Sequence, residues 1–428
     1  MWKCQRVLYL LLTGPREFRH WARPGLAACF LAAAAGAAVP GTAPGDAAGP
    51  AAPETARTGR RIAVRVELFT RVRAFGFALP NRHPRTHIIH RTRVDLFLQP
   101  LSRLSLHLRG EDARGFVSAG PAPRSNVGEL SLVEADLRLG RNWTLRGGRQ
   151  ELSFGDERLV GGDTEWCQIG QRFDAIRLRW QRPRLRFDAF ASSPVAVRRR
   201  GWDRPTSGVS FHGLHVSWAG SGSRTGTDAY LFWKAWRSGG LPGHRFTAGF
   251  RHVHRIAHRW ETVAELAGQW GTEAGRPVRA WAGHCEAGLS LLAPAELPHL
   301  SLEYNLATGD DPRTGAVERF DDLYPAGHDR FGLPDPVPWS DMQTLGVAAE
   351  WPAPRRWSFT TGVRSIWQGP GMGLRHLGWQ VSGMAGWSLT PGWLIVCSYS
   401  RLAARAAAYY GGPINSFSGG VKLRFGGR

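Results

Sequence analysis

"GRQELSFGDERLVGGDTEWCQIGQRFDAIRLRW" (residues 148–180) changes character partway along. Up to Gly170 it is dense in glycine and charge and has no period. From Phe173 it alternates. Phe173, Ala175, Arg177 and Arg179 form one row, and Asp174, Ile176, Leu178 and Trp180 form the other. Side chains of a strand point alternately to its two faces, so a period of two marks a strand between two environments. Here one row gains arginines while the other becomes apolar. The solvent that each row faces decides the fold.

The same period dominates from Arg60 onward. Ile62, Val64, Val66 and Leu68 alternate with Ala63, Arg65, Glu67 and Phe69, and Arg71 and Arg73 continue the second row. About eighteen such runs occur, centred near 67, 93, 105, 134, 146, 176, 187, 214, 232, 249, 265, 283, 302, 347, 362, 383, 397 and 421. No helix-period segment separates them. Long connections (76–86, 110–127, 151–170, 192–209, 306–341, 402–416) alternate with tight ones such as Gln99-Pro100, Gln181-Arg182-Pro183 and Thr390-Pro391-Gly392. This predicts an all-β fold, a transmembrane antiparallel β-barrel of about eighteen strands with short periplasmic turns and long extracellular loops. An even strand number brings both ends of the barrel to the periplasm.

A soluble sandwich or propeller also alternates. The regular change of loop length, the arginine rows and the absence of a blade-length repeat count against it. So do tryptophans near strand ends (Trp143, Trp166, Trp180, Trp202, Trp218, Trp260, Trp270, Trp357, Trp367), where membrane girdles belong. No long apolar run follows position 45, which excludes a helical membrane protein.

The N-terminus has a different composition. Arg16, Arg19 and Arg23 precede the apolar run 25–39, with small residues at Gly36 and Ala38, the pattern of a cleaved secretory signal. Residues 1–39 are expected to be a signal peptide, 40–59 a disordered Ala/Pro/Gly leader and 60–428 the barrel. "LAAC" (26–29) has its apolar stretch after the cysteine, so no lipid anchor is expected. Cys167, Cys285 and Cys397 form no CxxC pair and imply no disulfide framework. The formal charge is +21, carried almost entirely by arginine. Such a balance calls for anionic partners. An exported chain seldom meets nucleic acid, which is not expected as a partner.

Parity assigns the inward row. It places Arg65, Arg71, Arg91, Arg93, Arg103, Arg109, Arg138, Arg146, Arg177, Arg179, Arg186, Arg251 and Arg364 in the lumen, along the path of a solute. A charge facing lipid at mid-bilayer costs about 2–4 kcal/mol. Arginine suits such a row because its planar fork binds carboxylates bidentately and stays charged. Sites about 7 Å apart along a strand would let a polyanion exchange contacts. The plainer expectation for any one arginine is pairing with a luminal acid across strands. The last strand, Phe417 to Phe425, carries the alternation and terminal aromatic that barrel assembly machinery reads.

"GRQELSFGDERLVG" followed by "RFDAIRL" resembles the signature of the alginate export family of outer-membrane proteins. "LEYNLATGDDP" (302–312) followed by "FDDLYPAGHDRFG" (320–332) and Trp339-Ser340-Asp341 resembles that family's long loop. The motif positions are Gly148, Arg149, Gln150, Gly155, Asp156, Arg158, Phe173, Asp174, Phe320, Asp321, Tyr324 and Pro325. The resemblance implies an eighteen-stranded barrel in the outer membrane of a Gram-negative cell that passes an anionic uronate polysaccharide. A general anion-selective porin is the alternative. No cofactor or resident metal is expected. The acidic stretch 308–331 makes calcium conceivable, but its spacing matches no EF-hand, and a lid closed by Tyr324-Pro325 packing is the simpler expectation. An enzyme is not expected, since Ser210 near His212 belongs to no hydrolase motif. The expected partners are membrane lipid and a saccharide, with the barrel acting as a monomer.

Overall fold

The computed structural model describes residues 61–77, 85–117, 126–162, 169–198, 202–220, 225–238, 241–256, 259–291, 298–326, 338–352, 356–369, 375–404 and 413–426. The expected signal segment, the leader, Trp166 and Cys167 lie outside the described residues.

The described elements are all strands. They are β1 (Arg61–Phe77), β2 (Arg85–Leu101), β3 (Leu104–Val117), β4 (Asn126–Arg138), β5 (Trp143–Gln150), β6 (Phe173–Gln181), β7 (Leu185–Ala196), β8 (Arg204–Pro205), β9 (Val209–Ala219) and β10 (Thr225–Ser238). The others are β11 (Leu241–Ile256), β12 (Trp260–Glu273), β13 (Arg276–Ser290), β14 (His299–Ala307), β15 (Met342–Pro352), β16 (Trp357–Gln368), β17 (Arg375–Thr390), β18 (Trp393–Ala404) and β19 (Ile414–Gly426). The two-residue β8 pairs only with the end of β7. The remaining eighteen form one antiparallel sheet in chain order, β7 pairing β9, and β1 closes on β19 from Arg65↔Gly426 to Phe77↔Ile414. All eighteen expected centres fall inside these strands. Closure pairs the backbone of every wall strand on both sides, the condition for a sheet to cross hydrocarbon.

The rows separate as the alternation requires. On β1, Glu67, Phe69, Arg71 and Arg73 are buried while Ile62, Val64 and Val72 are exposed. On β6, Ile176 is 63% exposed and Arg177 only 4%. The apolar exposure lies on the outer wall, where lipid replaces water. Trp260 and Trp270 mark the height of that band, since both are exposed on β12. Ten residues at about 3.4 Å each, tilted by about 40°, rise about 26 Å, close to the roughly 25 Å apolar band of such barrels.

Two expectations need correction. Loop length does not alternate strictly, because β10–β11 and β12–β13 are joined tightly at the long-loop end. Ala274 and Gly275, at φ 48° and 80°, make the second a two-residue hairpin. Trp202 is not a girdle residue, since it lies in the β7–β9 connection, outside any strand.

The hydrophobic core is inside the barrel. Leu152, Phe154, Leu159, Val160, Phe320 and Leu323, from two long connections, pack on Phe173, Phe190, Phe211 and Phe232 of the wall.

Candidate functional site

The β5–β6 connection turns into the lumen. The departure is prepared at the end of β5 by Gly148, at φ 113°, where a Cβ would stand 2.1 Å from the Val133 carbonyl oxygen, so only glycine fits. Next to it Arg149 grips the Asp174 carboxylate with two hydrogen bonds of 2.8 and 3.0 Å, and the Gln150 amide donates to the Ala175 carbonyl at 3.1 Å. Gly155 and Asp156 form the tip, where Asp156 Oδ1 accepts from the Arg158 backbone N–H at 3.3 Å.

The returning chain meets the β14–β15 connection. Val160 and Tyr324 form a parallel bridge. Tyr324 N donates to Leu159 O at 2.9 Å, Gly161 N to Tyr324 O at 2.8 Å and Ala326 N to Glu157 O at 3.0 Å. A Cβ on Gly161 would lie 2.6 Å from Ala326 N, so glycine permits the approach. Two sequence blocks far apart in the chain are thus one structural unit. The second segment is tied down separately. Val317 bridges Val278 of β13, Lys234 of β10 pairs with Asp321 at 2.6 Å, and Phe320 packs edge-on to Trp339 at 5.5 Å. Tyr324 meets Phe173 and Phe211 at 5.2 and 4.9 Å, with Pro325 half-buried beside it.

Arg158 fixes the unit to the opposite wall at mid-height. Its Nη1 donates to Asn305 Oδ1 (3.0 Å) and its Nη2 to His284 Nε2 (3.2 Å), midway along β13. Asp156 and Glu303 lie at 3.3 and 3.7 Å, and the Trp339 ring 5.5 Å below the guanidinium. Burial alone would lower the Arg158 pKa, but the surrounding carboxylates, Asp156 foremost, raise it above its ordinary value. In the partner segment, burial and then Asp321 push Asp322 up to about 6, and the same two causes raise the Tyr324 hydroxyl. Asp311, hydrogen-bonded by the exposed Arg313, is lowered to about 2.

A second ion cluster lies nearer the short turns. The fully buried carboxylate of Asp188 accepts from Arg177 Nε at 2.8 Å, Arg179 Nε at 3.0 Å and Arg186 Nε at 2.6 Å. Three cations meet one anion. Phe154 of the inward loop covers Arg177, its ring centroid 4.9 Å from the guanidinium carbon. Arg179 and Arg186 are left with 29% and 35% of their side chains accessible. Glu67 has a similar surplus, with Arg91 at 2.8 Å, Arg424 at 3.0 Å and Lys422 at 3.4 Å.

The other arginines expected in the lumen are distributed as follows. Arg71, Arg91 and Arg93 are buried on the inner wall, Arg93 against Glu111 at 2.5 Å. Arg109 pairs with Asp95 (2.7 Å) and Glu151 (3.1 Å), Arg146 with Asp136 (2.6 Å) and Glu134 (3.0 Å), Arg251 with Asp228 (3.2 Å) and Arg364 with Glu303 (2.6 Å). Arg65 and Arg138 are exposed at the short-turn ends of their strands. Arg103 is not on the wall. Leu101 pairs with Leu104, which leaves Ser102 and Arg103 as an exposed turn.

Sequence reading missed the aromatic wall. Phe154 stacks on Phe190 and His215 at 5.4 and 4.7 Å, and Phe190, Phe211 and Phe232 lie mutually within 6.1 Å. These wall phenylalanines occupy inward positions by parity, and a row of large apolar groups facing an aqueous lumen was the available sign that something packs there. Of the three residues that hold Arg158, Asn305 and Trp339 lie in the second motif block, and His284 carried no local signal. Among the described residues no group of three or more His, Cys, Asp or Glu is arranged to hold a metal.

The family model described as "Alginate export" matches residues 69–368. The chain belongs to the alginate export family. No curated protein matches significantly. Solved structures from Pseudomonas aeruginosa share the fold with this alginate export family barrel. OpdQ is 12% identical, with a TM-score of 0.64 over 85% of this chain and 99% of that one. OpdK with vanillate is 12% identical, with a TM-score of 0.63 over 85% and 99%. OccK2 (OpdF) in complex with glucuronate is 11% identical, with a TM-score of 0.60 over 85% and 96%. This member of the family is a channel of the Gram-negative outer membrane and not an enzyme.

Proposed function

We propose that the channel passes anionic saccharides of the uronate type, exported or diffusing along an arginine-bearing inner wall. The observation that carries this reading is the Asp188 cluster. One carboxylate cannot neutralise three guanidiniums, and two of these remain accessible with N–H donors beyond those given to Asp188. A guanidinium fork offers a passing carboxylate two parallel hydrogen bonds. Three cations sharing one buried anion hold each other's positions while leaving the site net positive. The glucuronate bound by the similar OccK2 barrel is a uronic acid, which agrees in substrate class.

A second reading, a porin for small organic acids, is favoured by the inward loop pair, which fills part of the bore from the wall at Phe173 to that at His284. Single-channel recordings in planar bilayers test both. Anion selectivity in KCl, with current block by oligouronates that is relieved in Arg179→Gln/Arg186→Gln, supports the proposal. Cation selectivity, or indifference to uronates, overturns it. Permeation of glucuronate while every longer oligomer only blocks establishes the small-acid reading.

A further inference from the structure

We infer that the short-turn rim of the barrel is a collar that binds the headgroups of anionic diacyl phospholipids in the periplasmic leaflet. The described residues of the short turns contain six arginines, Arg103, Arg141, Arg182, Arg184, Arg259 and Arg356, and no Asp or Glu. All six are exposed, and none has a carboxylate within ion-pair distance among the described residues. The long-loop end is mixed. There Arg172 lies against Glu111, Arg313 against Asp311 and Arg319 against Asp341, while exposed Arg204, Arg237 and Arg375 have no carboxylate within ion-pair distance among the described residues. What sets the short-turn end apart is that its described turn residues carry arginine and no acid; Arg356 alone among the six is held, by a hydrogen bond to the Leu389 carbonyl.

Their neighbours indicate the occupant. Arg141 stands two residues before Trp143, Arg182 two after Trp180, Arg259 next to Trp260 and Arg356 next to Trp357. These tryptophans belong to the outward rows. Trp143, Trp260 and Trp357 are 41%, 51% and 43% exposed, and Trp143 packs on Trp180 at 6.4 Å. Tryptophan on a barrel wall settles at the boundary between acyl chains and headgroups. An arginine one or two residues further out then stands at the level of the phosphate. Arg182 shows the geometry, its guanidinium 5.9 Å from the Trp180 ring.

The distribution around the barrel points the same way. The arginines occupy the turns β2–β3, β4–β5, β6–β7, β11–β12 and β15–β16. A soluble acidic protein docks on one patch, whereas a ring of charge at headgroup height matches lipids that surround the whole circumference. Each cation near an anionic lipid surface adds to the attraction, and the contributions sum.

The test is native mass spectrometry of the full mature chain in detergent, offered equal amounts of phosphatidylglycerol and phosphatidylcholine with the same acyl chains. The wild-type chain should retain phosphatidylglycerol preferentially. Arg141→Gln/Arg182→Gln/Arg259→Gln/Arg356→Gln should lower that preference about tenfold or more, and the same four positions changed to Lys should keep most of it. If the Gln variant does not assemble, salt titration of the wild type decides, because headgroup attraction must weaken as the ionic strength rises. Equal retention of the two lipids overturns the inference. So does a preference unmoved by the Gln changes or by salt. An acidic periplasmic protein that co-purifies in fixed ratio and displaces phosphatidylglycerol would assign the ring to that partner instead.

Discussion

Arg158 and Asp188 are the centres of two ion clusters built from the same residue types in opposite proportion. Around Arg158 one cation is shared among Asp156, Glu303, Asn305 and His284, over the Trp339 ring, and its side chain is 3% exposed. Around Asp188 one anion is shared among three arginines, two of them partly open. In the first, the charges are consumed in holding a loop to a wall. In the second, positive charge is left over. Counting arginines therefore says little about a lumen. The number of partners at each, and its access to water, separate a structural cation from one that can meet a solute.

The largest expected effect comes from breaking the closed cluster. Arg158→Ala takes the guanidinium from Asp156, His284 and Asn305 while Glu303 keeps Arg364, and removing one partner of such a buried set costs up to about 3–5 kcal/mol. That strain falls on the loop pair. Residues 151–162 should become protease-sensitive and single-channel conductance should rise, while the barrel remains heat-resistant in gel mobility. An unchanged conductance would mean that the loop pair does not obstruct the bore.

A smaller loss is expected from reversing the rows of β6. Ile176→Arg places a charge on the outer wall, at a cost of about 2–4 kcal/mol if it meets mid-bilayer hydrocarbon. Folding yield into vesicles measures it. Full tolerance would show that this face does not meet lipid, and the Asp188 cluster would lose its assignment to the lumen.

Arg179→Gln/Arg186→Gln should change stability by no more than about 1 kcal/mol, since both side chains are partly exposed and Asp188 keeps Arg177. Reversal potentials in a KCl gradient should nevertheless show reduced anion preference, most clearly at low salt. If stability collapses while selectivity stays constant, the two clusters are alike after all.

The smallest effect concerns pH. The Asp322 carboxyl is raised from 3.8 to about 6 in the packed loop, by burial and then by Asp321, against the pull of Lys234. The protonated form is favoured when the loop is packed. Its contribution is complete below about pH 4 and is lost as the pH rises through about 6. Hydrogen exchange at residues 320–326, corrected for its intrinsic pH dependence, should accelerate between pH 5 and 7.5, and Asp322→Asn should abolish that difference.

The wall was legible in the sequence because parity is a local property. Ile62 and Arg71 disclose their faces within a dozen residues, and each strand repeats the test. Arg103 was misplaced because the same row continues unbroken through a two-residue turn, where alternation no longer reports a face. The loop pair was legible only as conspicuous motifs. Gly148 and Gly161 are required because a Cβ there would stand 2.1 and 2.6 Å from backbone atoms of Val133 and Ala326, a closeness that no local pattern reveals. The pairing of Arg177 with Asp188 was foreseeable from strand adjacency, but its cover by Phe154 was not, because a loop that arches outward and one that folds inward have the same composition.

The bridge from Val160 to Tyr324 also dictates an order of events. β5 and β6 can pair as soon as both exist, but residues 159–161 lack their backbone partners at Tyr324 until the β14–β15 connection has been made. Contacts so distant along the chain close late, because the entropy of the intervening segment must be lost first. The barrel is accordingly expected to close around an unobstructed bore and to acquire its constriction last. A cell inserting this chain would face a brief interval of leakage with every copy, and a slower interval in any variant that weakens that one bridge.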